Sequence, residues 1–251
     1  MELPMTAGTE LDLLDIVEQG QGPPLLLLHG IQGTSRSWRK VTDRLDGFTC
    51  VMPNWPGRSR SPRASGPAAA VIYHVDHFAS LAHALILKLA ARTGGPVDVA
   101  GWSMGVTVLL RVWELHGPPP IRRLALLSGT PVPARAAWFS GDSLQAVALE
   151  AEARARALGL DSVADPDAVA RSWLSVRTLD QRGILPLVRC PVMVIHGDAD
   201  RQSPPCDGRL LAETLPDARW QELAAAGHAI LEEVPDQVAQ SLKNFFRQTP
   251  G

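Results

Sequence analysis

The pentapeptide Gly101-Trp102-Ser103-Met104-Gly105 constrains this chain more than any other stretch. It follows a short apolar run, residues 96–100, and opens a helix-period segment from Val106 to His116. Turning from strand to helix within a few residues forces the central serine to a positive φ, which costs energy for any residue with a Cβ. Glycines two positions to either side leave the room such a turn needs. The serine hydroxyl is then held clear of the sheet, at the start of a helix whose free N–H groups favour developing negative charge. A chance Gly-x-Ser-x-Gly in an ordinary loop is the rival reading, and the strand and helix around it argue against that.

Around this turn the chain reads as strands alternating with helices, the spacing of βαβ units and a mostly parallel, doubly wound sheet. Leu25-Leu26-Leu27-Leu28 is wholly apolar, as a strand covered on both faces must be. Phe48 to Pro53, residues 122–128 and residues 191–196 are further core strands, and residues 219–223 a last one. Thr34 or Ser35 caps a helix carrying Trp38, Val41 and Leu45. A helix with Phe78, Leu81, Leu85 and Leu89 on one face covers residues 75–91, and another closes the chain over 235–246. Met5 to Thr9 and Leu11 to Val17 read as a hairpin, and Pro62 to Ala70 as a polar loop. Residues 131–187 separate two strands by more than a normal crossover and are helix-like over 143–158 and 165–179. They read as a small helical cap over the carboxyl ends of the strands, where open α/β sheets bind ligands. The expected organisation is a core domain of residues 1–130 and 188–251 with the cap at 131–187.

A chain of 251 residues, 45% of them hydrophobic, suits one α/β domain with such an insertion. Its 24 basic and 26 acidic residues leave a formal charge of −2, which points away from a nucleic-acid partner. Arg58, Arg60 and Arg63, in a loop of small residues, are expected to form a solvated rim. Cys50, Cys190 and Cys206 make no disulfide framework and no zinc spacing. His74, His77 and His83 lack the carboxylate or cysteine set that a metal site needs. The amino terminus has no secretory pattern and no run reaches membrane-span length, so a cytoplasmic protein without a membrane partner is expected.

A serine hydroxyl is a poor nucleophile at neutral pH and needs an adjacent base, itself oriented by an acid. The last quarter of the chain supplies both. The strand at 191–196 runs into Gly197-Asp198-Ala199-Asp200, and Gly227-His228 follows the last strand. To these segments add His29-Gly30, Pro56-Gly57-Arg58-Ser59-Arg60-Ser61, and Glu232 and Pro235 after the histidine. Together, in the order serine, acid, histidine, they resemble the α/β-hydrolase-fold serine hydrolases, in their capped esterase, lactonase and C–C hydrolase branch. The resemblance spans nearly all of residues 20–248 and is weakest in the cap.

That resemblance implies an α/β-hydrolase fold with Ser103 as nucleophile, His228 as general base and then acid, and Asp200 as the residue orienting it. Asp198, the other candidate acid, falls where the family pattern only closes the turn. The backbone N–H groups of Met104 and Ile31 are the implied oxyanion hole. Substrate contact is expected from His29, Gly30, Trp55 and Trp102 at the strand ends. Trp138, Phe139 and Trp173 of the insertion either face the pocket or pack the cap. His29 is expected to support its loop by hydrogen bonding, His196 to be structural, and Met104 to bring its side chain near the acyl site. The implied substrates are small esters, lactones or thioesters, with no cofactor. The same triad can instead serve C–C bond hydrolysis, perhydrolysis or a lyase or cyclase step, and a non-catalytic ligand-binding protein on this fold is a third reading. A serine in place of an aspartate nucleophile argues against dehalogenase and epoxide hydrolase chemistry. Ala229 after His228 argues against the ring-cleavage C–C hydrolases. Two departures from the family pattern, Ser59 for a glycine and Val106 where a second glycine is common, predict a shifted loop or helix packing.

Overall fold

The computed structural model describes residues 10–157 and 164–247. Its strands are β1 (Ile16–Gly20), β2 (Pro24–Leu28), β3 (Thr49–Pro53), β4 (Val97–Trp102), β5 (Ile121–Leu127), β6 (Val192–Gly197) and β7 (Ala218–Leu223). They form one sheet in the order β1-β3-β2-β4-β5-β6-β7. β1 pairs with β3 antiparallel, and the remaining pairings are parallel. Polarity explains the order. Leu25 to Leu28 and Leu124 to Leu127 are fully buried, as strands with helices on both faces must be. β1 and β7 carry Glu18, Gln19, Arg219 and Glu222 and stay partly exposed, which suits edges that must resist further pairing.

The helices are α1 (Arg39–Thr42), α2 (Gly66–Ile72), α3 (Val75–Thr93), α4 (Met104–His116), α5 (Leu144–Ala157), α6 (Pro166–Val176), α7 (Pro205–Thr214), α8 (Ile230–Glu233) and α9 (Pro235–Phe246). Side chains of a strand alternate faces, and β2 divides the core accordingly. Leu26 and Leu28 pack with Phe78, Leu81, Leu85 and Leu109 of α3 and α4. Leu25 and Leu27 pack with Trp38, Val41, Leu242 and Phe245 on the other face. The connection from β5 to β6 carries α5 and α6, with a 3-10 turn before them at Pro133–Arg135 and another after them at Arg182–Leu187. α5 buries Val147, Ala151 and Ala155, four residues apart, while Asp165 caps α6 by accepting from the Asp167 and Ala168 amides. No single described helix is long and apolar enough to cross a membrane.

Three expectations need correction. The hairpin fails in its second arm: Leu13 and Leu14 donate to Glu10 and Leu11 carbonyls in a helical turn, and the strand starts only at Ile16. The adjacent Leu13 and Leu14 break the period-two alternation a strand needs, and Leu13 is exposed. Its first arm, Met5 to Thr9, lies outside the described residues. The loop at 62–70 contains α2, where Pro67 in the first turn and three alanines are strong helix signals. No element was expected at α7, which also opens on a proline. The helix expected over 143–158 is α5, and Leu158 lies outside the described residues.

Val106 is fully buried against Gly129, where a Cβ would lie 2.4 Å from a Val106 methyl. The bulk gained at one position is thus conceded at the other. Gly105 has a less forgiving neighbour, since a Cβ there would lie 2.5 Å from the Leu28 carbonyl oxygen. Gly105→Ala is expected to destabilise the protein by about 1–3 kcal/mol, as overpacking does. A thermal melt should show a midpoint lowered by several degrees, and an unchanged midpoint would contradict this packing.

Candidate active site

Ser103 joins β4 to α4 with φ 56° and ψ −120°. Sheet hydrogen bonding reaches it directly, because its N–H donates to the Leu127 carbonyl at 2.9 Å. Its own carbonyl accepts from the Val106 N–H at 2.9 Å and starts the helix. A Cβ on Gly101 would lie 2.7 Å from the Gly105 carbonyl group, so strand, turn and helix are too close for anything but glycine. Such a backbone costs about 1–3 kcal/mol and persists only where the surroundings over-determine it.

The turn points the Ser103 hydroxyl at His228, whose Nε2 lies 2.9 Å from Ser103 Oγ. His228 Nδ1 lies 2.8 Å from Asp200 Oδ2. A carboxylate only accepts, so Nδ1 carries the hydrogen and Nε2 is free to take the serine proton. The loop after β7 approaches so near that a Cβ on Gly197 would lie 2.2 Å from the Ala226 carbonyl oxygen. Trp102 Nε1 donates to the His228 carbonyl at 3.1 Å and ties that loop to the serine turn.

Asp200 has its acceptor positions filled. Oδ1 accepts from the Gln202 and Ser203 amides at 2.8 and 2.9 Å. Oδ2 accepts from His228 and also lies 3.2 Å from His196 Nε2. The same His196 nitrogen is 2.9 Å from the Ser203 carbonyl oxygen; facing two acceptors, it must carry the hydrogen. Burial pushes the Asp200 carboxyl up, but hydrogen bonds from His196 and His228 outweigh it and hold the group well below the usual carboxylate range. Asp198 is exposed and makes no such contact. His196, read from sequence as merely structural, is therefore a partner of Asp200. The available signal was a histidine at the inner end of an apolar strand.

The loop after β2 completes the site. A Cβ on Gly30 would lie 3.1 Å from Ser103 Cβ, so glycine lets the Ile31 backbone come close to the serine. The Met104 N–H is the first of α4 and has no acceptor within the helix. His29 supports the loop as expected: its Nδ1 lies 2.8 Å from the Gly30 carbonyl oxygen, and the Trp55 N–H donates to Nε2 at 3.4 Å. Burial lowers its pKa to about 3, so it is neutral.

Arg58 overturns the expected solvated rim. It is fully buried, whereas Arg60 and Arg63 are exposed. Positive φ at Gly57 (77°) and Ser59 (50°) folds the loop so that Arg58 turns inward. Nη2 donates to the Ile31 carbonyl at 2.9 Å and to Ser172 Oγ of α6 at 3.1 Å, and Nη1 donates to the Pro56 carbonyl at 3.0 Å. The guanidinium lies 5.2 Å from the Phe78 ring centre, and burial lowers its pKa to about 9. Ser59 thus keeps the backbone conformation that the family pattern serves with glycine.

A family model described as the alpha/beta hydrolase family matches residues 25–241. The chain belongs to the alpha/beta hydrolase family. It is 28% identical over 239 residues to the pimeloyl-[acyl-carrier protein] methyl ester esterase of Chromobacterium violaceum, covering 84% of this chain and 89% of that one. Among solved structures it is similar to an esterase from Exiguobacterium antarcticum, with TM-score 0.80, 18% identity and coverage of 94% and 96%. The enol-lactonase of Burkholderia xenovorans superposes with TM-score 0.73 at 20% identity, covering 94% of this chain and 96% of that one. This alpha/beta hydrolase is an enzyme with hydrolase activity, and its fold is that of the esterases and lactonases.

A cavity of about 850 Å³ opens over Ser103 and His228. Ile31 and Trp102 are in its wall, and so is Trp138, for which the sequence left pocket and cap packing open. His29, Gly30 and Trp55 are not in the wall, contrary to expectation, and Phe139 and Trp173 take the packing alternative. Trp55 is fully buried and stacks on Phe78, with centroids 5.5 Å apart, so it belongs to the core. Phe139 and Trp173 pack behind Trp138, the Trp173 ring lying 6.0 and 5.5 Å from Phe139 and Trp138. The Met104 side chain is buried in the core rather than turned to the cavity. Arg154 and Gln202 line the cavity and were not anticipated, since nothing in an Ala/Arg-rich helix marks which arginine faces inward.

Two predictions follow from these contacts. Arg58→Met, or Arg58→Lys with its single-point ammonium, removes the fork that holds Ile31. Loss of one hydrogen bond from a charged donor is worth about 1.5–3 kcal/mol, so kcat/KM should fall about tenfold or more. Retention of full activity would show that the loop holds its position without Arg58. Because the Asp200 carboxyl is lowered in the folded state, its stabilisation is complete above the unfolded value of about 3.9 and is lost as pH falls through the folded value. The melting-point gap between wild type and Asp200→Asn should be constant above about pH 5 and shrink below about pH 4.

Proposed function

We propose that this hydrolase cleaves a carboxylic ester, lactone or thioester through an acyl-enzyme on Ser103. The observation that carries the reading is the unbroken relay of 2.9 Å from Ser103 Oγ to His228 Nε2 and 2.8 Å from His228 Nδ1 to Asp200 Oδ2. His228 takes the hydroxyl proton as Ser103 attacks the acyl carbon. The developing oxyanion is held by the Met104 and Ile31 N–H groups, and each such donor contributes about 2.7–4 kcal/mol of transition-state stabilisation. Asp200 remains ionised and stabilises the imidazolium, which passes its proton to the departing alcohol or thiol. Water then attacks the acyl-serine, His228 again taking the proton and returning it to Ser103 as the acid leaves. The scheme requires neither metal nor cofactor.

We further infer that residues 131–187 act as a cap on a core formed by residues 1–130 and 188–251. Support comes from Trp138 and Arg154 in the cavity wall and from Gln32 Nε2, which donates to the Ala151 carbonyl of α5 at 2.9 Å. The relative from Chromobacterium violaceum is named for cleavage of a methyl ester, which favours an acyl ester among the bond types above.

The test is a fluorophosphonate probe with p-nitrophenyl acetate turnover as a second readout. Wild-type protein should label on Ser103 and hydrolyse the ester, and Ser103→Ala should lose labelling and most turnover, a loss of about 10⁶-fold in a serine protease. Labelling elsewhere, or turnover that survives the substitution, would overturn the assignment.

A further inference from the structure

The cavity wall carries a cation that makes no ion pair among the described residues. Arg154, on the flank of α5, donates through Nη1 to the Trp138 carbonyl at 2.9 Å and through Nη2 to Gln202 Oε1. Its guanidinium lies 5.8 Å from the Phe139 ring centre. All three neighbours are neutral. Glu150, one turn earlier, is occupied by the Ser140 and Gly141 amides at 2.9 and 3.1 Å. Among the described residues no carboxylate pairs with Arg154. The part-buried Arg111 and Arg171 and the more exposed Arg122 and Arg135 each meet one within 3.2 Å. Part-buried Arg177, which like Arg154 donates to carbonyl oxygens, lies outside the cavity wall.

Desolvating an arginine without a counter-charge is costly. Here burial lowers its pKa from the ordinary arginine value, and the charge of Glu150 offsets only part of that. Packing and two neutral acceptors fix the guanidinium in one orientation, and up to three of its five N–H donors remain for a ligand. That fork matches a carboxylate in two-point fashion. Arg154 shares the cavity with Ser103 and His228, and its partner Gln202 is two residues from Asp200. Ile31, Trp102 and Leu231 give the same cavity an apolar wall suited to methylene groups. At the mouth, Arg36 and Arg39 are exposed and make no ion pair among the described residues, whereas Lys40 is paired with Glu232 at 2.7 Å. Asp43 is the one unpaired carboxylate among the described lining residues, so with Arg36 and Arg39 the mouth keeps a net positive charge that favours anions.

We propose that the substrate carries a free carboxylate besides its scissile bond, and that Arg154 binds it. The natural substrate class is then a half-ester, an acyloxy-carboxylate or a carboxylated lactone, whose hydrolysis yields a dicarboxylate, a hydroxy-carboxylate or a hydroxy-dicarboxylate respectively. One guanidinium in the inner wall suits a monoanion rather than a phosphate dianion. This inference rests on the acyl-ester reading above. The step is the same hydrolysis, water adding across the acyl–oxygen bond while the second carboxylate stays unchanged.

The experiment compares monomethyl adipate, with the carboxylate on the acyl side, 4-acetoxybutyrate, with it on the alcohol side, and neutral dimethyl adipate. For the wild type, kcat/KM for one of the two anionic esters should exceed that for the diester by at least about tenfold, and which one identifies the side that Arg154 reads. Arg154→Gln should cut that preference by about 10- to 100-fold, mainly through KM, as loss of a charged hydrogen bond does. Should Arg154→Gln melt early, Arg154→Lys replaces the fork with one point charge and should still reduce the preference several-fold. A wild type that favours the diester, or a preference that survives both substitutions, would overturn the inference. Calorimetric titration of monomethyl adipate and 4-acetoxybutyrate into Ser103→Ala separates this from the acyl-enzyme reading. Arg154-dependent binding without wild-type turnover of any ester would sink that reading and the ester substrate class with it, while sustaining Arg154 as a carboxylate site. Neither anion binding better than dimethyl adipate would sink this one alone.

Discussion

The site depends on how closely β2, β4 and α4 pack at one point. Gly105 sits where a Cβ would strike the Leu28 carbonyl, and Gly101 where one would strike Gly105 itself. That packing holds Ser103 at a positive φ against a cost of about 1–3 kcal/mol. Relaxing the turn would swing the hydroxyl away from His228 and break the β4–α4 junction at once. The same strain recurs nearby. Ser128 after β5 and Ala225 after β7 also have positive φ without being glycine, as does Ser59 in the loop after β3. These positions lie beyond the carboxyl ends of strands, the edge on which Ser103, Asp200 and His228 converge. Unfavourable backbone is concentrated where side chains must be presented, and the apolar strands behind it supply the compensating burial.

Charge is managed at this edge by saturation. Asp200 meets two backbone amides and two imidazoles, so its negative charge is fully solvated by protein although the side chain is out of water. Such a carboxylate has no reason to take up a proton when the imidazole beside it becomes charged. His196 matters here because it fills a position that a water molecule would otherwise compete for. It also couples the acid to Ser203, the residue that receives the Trp138 indole N–H at 3.1 Å. The acid loop and the cavity wall are therefore one hydrogen-bonded unit.

Much of this was legible in the residues. Four consecutive leucines announce a strand covered on both faces, and glycines two residues either side of a serine announce the turn. The order serine, aspartate, histidine at strand ends then predicts which side chains can meet. What was not legible has a common cause: periodicity reports whether a residue is buried, not what it is buried against. Trp55 and Trp102 both stand at strand ends, yet one stacks on Phe78 and the other walls the cavity. Arg58 stands among small, polar residues that suggest solvent, and only the two positive-φ positions flanking it turn it inward. Helix α2 lies in a stretch of small and polar residues that suggests a loop, yet a proline at a helix start followed by alanines favours the helix.

Arg58 and Arg154 show how a physical criterion separates two arginines that composition cannot. Both are desolvated, both rest on an aromatic ring and both donate to neutral acceptors. Arg58 is wholly enclosed, and its Nη1 and Nη2 bonds tie the Ile31 loop to Pro56 and α6. Its charge therefore serves as a strong, fixed set of hydrogen bonds, and a ligand has no route to it. Arg154 makes fewer bonds, is only part-buried and lines the cavity over Ser103 and His228. A cation that is half desolvated, held still and left unpaired is stabilised most by an anion that arrives from outside. That contrast places Arg58 in the architecture of the site and is the ground on which Arg154 is proposed to meet an anion.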